Sequence, residues 1–126
     1  MIIVQPQDLA NTWPKVEGWI AAAVAEGQGD ENALDVLIAI ARGVYLLWYE
    51  EGKFCGVVQI QHLPRQKVAT VIYCGGSGLD EIRQAFEEGK LWAKANGIHV
   101  VRTHGREGWK RALGLKAVGV ILQETL

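Results

Sequence analysis

Residues 67–82 read "KVATVIYCGGSGLDEI". Lys67 to Tyr73 is a β-rich run, and from Leu79 onward apolar residues recur at helical spacing. Between them stand Gly75, Gly76 and Gly78. Strand, glycine-rich turn and helix together aim backbone N–H groups at one point, an arrangement that many proteins offer to a phosphate. The alternative is a plain tight corner between two elements. The rest of the chain has to decide between them.

Downstream, Ile82, Ala85, Phe86 and Ala93 mark a long amphipathic helix from about Leu79 to Ala95, stopped by Gly97. Gly89 shares that side, where a missing side chain permits close approach to a sheet. "IHVVRT" is the next strand. A strand–helix–strand crossover makes a right-handed parallel pair. The strands on either side of the helix are therefore predicted to lie parallel and adjacent.

Upstream, "VYLLWYE" and "FCGVVQIQ" flank "EGK" as a hairpin, and "HLPRQ" turns the chain into the strand "KVATVIY". "MIIVQP" predicts a first short strand. Asn11 or Thr12 caps a first helix with Pro14 in its first turn and Val16, Trp19, Ile20, Ala23 and Val24 on one face. Asp30 caps a second, with Ala33, Leu34, Leu37, Ile40 and Ala41 as its stripe and Gly43 as its end. After "IHVVRT" come a short helix, "REGWKRAL", and a last strand, "KAVGVILQE". The predicted order is β-α-α-β-β-β-α-β-α-β. It makes a single α/β (mixed α+β) domain over residues 1–126, a mixed central sheet with helices on both faces.

Composition narrows the function. The formal net charge of −1 gives no electrostatic case for nucleic acid or an anionic membrane. No apolar run reaches the ~18 residues of a bilayer span, and "MIIVQPQD" lacks a charged leader, so the expectation is an intracellular protein. Cys55 and Cys74 lie in strand-like surroundings and form no metal signature; they read as reduced, structural thiols. The five tryptophans read mostly as core or half-buried packing, and Arg102, Arg106, Lys110 and Arg111 as the solvated face of a short helix.

Three motifs in order carry a resemblance. "YEEGKFCGVVQI" places a glycine, Gly56, early in the strand after a polar turn. "YCGGSG" sits between the fourth strand and the third helix. "WKRALGLKAVG" precedes the last strand. Together they resemble the GCN5-related N-acetyltransferase (GNAT) superfamily, over nearly the whole chain. "GREGWKRAL" is also similar to acetyltransferase-like proteins of tailed phages. The resemblance implies that the fourth and fifth strands splay to hold the pantetheine arm of acetyl-CoA and that a Gln/Arg-x-x-Gly-x-Gly/Ala loop binds its pyrophosphate. On this chain, it assigns cofactor contacts to Ile72, Tyr73, Gly76, Ser77 and Gly78.

The match has chemical gaps. Tyr73 stands where the family has Gln or Arg, and no Lys or Arg occurs from Ala69 through Ile82. Asp80 and Glu81 open the helix, where they suit its dipole but repel a phosphate. Ser77 and Asp80 also form a capping-box pattern that would satisfy the helix's own donors. Lys110 takes the place of the family's proton-donating Tyr. No carboxylate lies on the two central strands, so His62 is the nearest candidate base, with His99 and His104 around the fifth strand. The catalytic set stays unassigned, with His62 and Lys110 as its candidates, and no metal is expected.

Two functions fit these residues. One is a GNAT-shaped binding or accessory protein with weak or no acetyl transfer, acting through a protein partner or as a homodimer, without nucleic acid or membrane. It would be cytoplasmic, or in the host cytoplasm or virion if phage-encoded. The other is an acetyl-CoA-dependent N-acetyltransferase acting on an amine.

Overall fold

The computed structural model describes residues 1–105 and 107–126. The elements run β1 (Ile2–Ile3), a 3-10 turn (Pro6–Asp8), α1 (Leu9–Ala25), α2 (Ala33–Ala41), β2 (Leu46–Glu50), β3 (Phe54–His62), β4 (Lys67–Gly76), α3 (Leu79–Ala95), β5 (Val100–Thr103) and α4 (Gly108–Ala112). The sheet order is β1-β2-β3-β4-β5, antiparallel through β4 and parallel between β4 and β5. The predicted crossover is therefore present, with α3 between the parallel pair.

Strand alternation divides the core into two layers. On one face Trp48, Phe54, Val58, Ala69 and Val71 pack with Ile82, Ala85 and Phe86 of α3. On the other, Leu47, Tyr49, Cys55 and Val57 pack with Val16 and Ile20 of α1 and Val36 of α2. Gly89 meets the six-membered ring of Trp48, so α3 lies close on the sheet where no Cβ intervenes. Trp48 is buried, and the other four tryptophans are half-buried.

Helix starts differ from the sequence expectation. Pro6 fixes a 3-10 turn that runs directly into α1, so the helix begins at Leu9, and Pro14 lies inside it. The cap of α2 is Asn32 rather than Asp30: its side chain accepts the Asp35 N–H, and Asp35 accepts the Asn32 N–H, both at 2.9 Å. The buried stripe of α2 centres on Val36, with Leu37 and Ile40 partly buried beside it, and Leu34 is exposed. Arg106 lies outside the described residues.

The last predicted strand is not formed. Residues 116–126 carry no regular structure and are exposed throughout. An extended segment becomes a strand by sharing backbone hydrogen bonds with a neighbour, and this one follows no strand of its own chain.

Candidate functional site

One irregularity shapes the site. Val57 pairs with Tyr73, but Val58 pairs with Val71, so Ile72 is an extra residue on β4. Such a bulge reverses the alternation of everything beyond it. Tyr73 is thereby turned from the α3 face to the α1/α2 face, and Cys74 the other way. Gly75 then faces Trp19 of α1, with the Trp19 Cβ 2.7 Å from where its own Cβ would sit, and Gly76 faces Ile82 of α3.

The same place is where β4 and β5 part. Their register ends at Val71 opposite Thr103, where the His104 N–H and the Thr103 hydroxyl both donate to the Val71 carbonyl at 3.2 Å. Beyond it, β4 runs on to Gly76 with β3 as its sheet partner. A cleft of about 510 Å³ opens along this edge, walled by the loop between α1 and α2, by Tyr45, Ile72, Tyr73 and Cys74, and by His104, Gly105 and Trp109.

Glu31 is the cleft's focal charge. Its carboxylate accepts from the Tyr73 hydroxyl at 2.8 Å and from the Tyr45 hydroxyl at 3.0 and 3.1 Å. Burial, then the Glu31 hydrogen bond and charge, push the Tyr45 phenol from 10.0 up to about 12. The same causes raise Tyr73 further, with smaller contributions from Tyr45 and Asp30. Both phenols thus stay protonated donors, and Glu31 is oriented between two of them. Among the described residues no Lys or Arg pairs with Glu31, and no group of three or more His, Cys, Asp or Glu could hold a metal ion.

This topology is shared with solved acetyltransferases. An aminoglycoside acetyltransferase from an uncultured soil metagenomic sample, in complex with sisomicin, superposes with TM-score 0.69 at 8% identity, covering 99% of this chain and 94% of that one. A probable acetyltransferase gives 0.66 at 10% identity, with 100% and 97% covered. A Trypanosoma brucei acetyltransferase gives 0.63 at 12% identity, with 99% and 97% covered. The chain has the GCN5-related N-acetyltransferase fold. No family profile matches it, and no curated protein does.

On the GNAT frame, the turn after β4 is where a pyrophosphate would be cradled. Gly75 and Gly76 belong to β4, which leaves Ser77 and Gly78 as the entire turn. The Ser77 N–H already donates to the Lys53 carbonyl at 3.0 Å, and that carbonyl lies 2.5 Å from where a Gly76 Cβ would sit. The expected Ser77 cap is not made: Gly78 is the N-cap, and no side chain caps the helix. A Glu81 carboxylate oxygen lies over Gly78 instead, 2.6 Å from its Cβ position. Arg83 points to the Asp80 carboxylate at 3.5 Å and to the Ala112 carbonyl at 2.8 Å. Gly75 and Gly76 serve close packing, the Ser77 N–H is taken by the chain's own Lys53 carbonyl, and the Asp80 and Glu81 carboxylates at the start of α3 oppose a pyrophosphate.

The other expected site residues separate. Ile72 and Tyr73 line the cleft, with Tyr73 directed to Glu31 rather than to the turn. His62 is exposed and pairs with Lys67, at the opposite end of β4, about 17 Å of strand from Ile72. Lys110 is exposed on α4 beside Trp109. Cys55 and Cys74 form no disulfide and lie on opposite faces of the sheet, and burial pushes Cys55 up to about 12. Sequence reasoning missed Glu31 and Tyr45. Glu31 lies 42 residues from Tyr73 and carries no local pattern; its one signal is that it immediately precedes a helix cap.

Proposed function

We propose that this is a GNAT-fold binding protein with weak or no acetyl transfer, whose cleft takes a protonated amine. The observation that carries it is the two-residue turn at Ser77 and Gly78, filled by the chain's own Lys53 carbonyl and Glu81 carboxylate. The Glu31 carboxylate, set by two phenols at the mouth of an open strand edge, supports the choice of ligand. A charge-assisted hydrogen bond from an ammonium is roughly twice as strong as a neutral one. The protein would work in the cytoplasm, or in the host cytoplasm or virion if phage-encoded, as an accessory to a partner.

The second reading is an acetyl-CoA-dependent N-acetyltransferase for an amine. It is favoured by the part of β4 beyond Val71, whose edge is left open toward the cleft as a pantetheine arm would require.

Thermal shift separates the two. Ligand at 100 times its dissociation constant stabilises by about 2.7 kcal/mol. Spermidine is expected to raise the melting temperature, and CoA and acetyl-CoA to leave it unchanged. A shift with acetyl-CoA, joined to acetyl transfer onto spermidine, would establish the second reading. No shift with spermidine or any other polyamine would remove the amine assignment.

A further inference from the structure

The α1/α2 layer is apolar on the side that faces away from the sheet. Between Ala33 and Ala41, α2 carries one polar residue, Asp35, and its side chain closes the capping box with Asn32. A helix apolar nearly all round is ordinarily covered on both sides. Here the sheet side is covered through Val36, while Leu34 is 60% exposed and Ile38 41%. Past the helix, Gly43 turns the chain in the left-handed region and the Val44 N–H donates to the Ala39 carbonyl at 2.9 Å, a Schellman turn that folds Val44 toward the last turn of α2. Val44 is 53% exposed there. The neighbouring helix supplies the complementary shape. On α1, Gly18, Ala21, Ala22 and Ala25 recur at i, i+3, i+4 and i+7 and are all exposed, so this outward stripe has no side chain larger than a methyl. Glycine inside a helix is less stable than alanine, yet a Cβ at Gly18 would meet nothing within 4 Å in its own chain. Packing within the chain gives no reason for that glycine; the close approach of a second helix does.

We propose that two copies of the chain pair through this layer, α2 of each seated on the small-residue stripe of α1 in the other. A twofold interface uses the same patch on both copies, so the patch must carry its own complement. Large apolar side chains and a groove that admits them stand here on adjacent helices. The charges at the rim also complement one another. Glu17 flanks the stripe on α1 and Arg42 ends α2; both are exposed, and neither has an ion-pair partner among the described residues. Seating α2 on the α1 of a second copy brings Arg42 of one copy and Glu17 of the other to the same seam, and the twofold does so twice.

The test uses the full chain. Light scattering of the wild type is expected to give twice the chain mass. Glu17→Arg and Arg42→Glu, made singly, set like charges against each other, and each is expected to raise the dimer dissociation constant by about tenfold or more in sedimentation. The two substitutions together restore opposite charges and are expected to bring the constant back. Both positions are exposed, so the variants keep the fold, which far-UV circular dichroism will check. Ile38→Asp is expected to leave a folded monomer. A monomeric wild type overturns the proposal, whether the face then meets another protein or a lipid surface. A dimer that the single reversals leave intact, or that the double reversal fails to restore, overturns it as well.

Discussion

The Tyr73 hydroxyl donates to Glu31 at 2.8 Å, joining β4 to the start of α2 across 42 residues of chain. Tyr45 on the approach to β2 donates to the same carboxylate. Three elements of the α1/α2 layer therefore meet at one negative charge beside the parting of β4 and β5.

Removing that charge has a readable signature. In Glu31→Gln, both phenols are expected to titrate at lower pH than in the wild type, where Tyr45 stands at about 12. They stay above the ordinary range because burial is the larger cause. Ultraviolet titration of tyrosinate measures this. Phenol titrations unchanged by the substitution would mean that Glu31 does not hold these hydroxyls.

The same groups set an alkaline limit. A phenol whose folded value is raised stays protonated in the folded chain while the unfolded chain ionises, so the unfolded state binds fewer protons and stability falls as pH rises. The window runs from 10.0 to about 12 for Tyr45 and for Tyr49, whose hydroxyl donates to Glu51. Denaturant midpoints are expected to decline across this window, and less steeply in Glu31→Gln. A midpoint that rises there contradicts the assignment.

Asn32→Ala removes the cap that starts α2 one residue after Glu31. It is expected to cost about 1 kcal/mol by denaturant unfolding. By loosening the residue that fixes the Glu31 backbone, it should also lower the Tyr45 and Tyr73 titrations part of the way. A stability loss with both titrations untouched would show that the cap and the cleft are independent.

Gly89→Ala tests the close approach of α3 to the sheet. The new Cβ meets the Trp48 ring, and overpacking costs about 1–3 kcal/mol. Better helix propensity returns at most ~1 kcal/mol. The net expectation is a lower melting temperature, and a higher one would mean that Trp48 has room to move.

Replacing Asp80 by Gln and Glu81 by Lys weakens the start of α3 by about 0.3–1 kcal/mol for each charge. It also removes the carboxylate over Gly78. If the acids are what bar a pyrophosphate, the variant should gain CoA binding in a thermal shift. If the variant still ignores CoA, the bar is the shortness of the turn itself.

The sequence by itself determined the order of elements through β5, the hairpins, the parallel crossover and the glycine stops at Gly43, Gly52 and Gly97, all in the left-handed region. These follow from local periods and from backbone conformations that glycine alone adopts easily. The tertiary structure alone decided that Ile72 is a bulge, because the extra residue is defined by which residue of β3 lies opposite, not by any feature of "TVIY". That one insertion turned Tyr73 to Glu31 and brought Gly75 against Trp19, so the glycines suggestive of a phosphate cradle became packing positions. Residues 117–123 had the composition of a strand but no neighbour in the chain, since strand formation depends on the partner as much as on the segment.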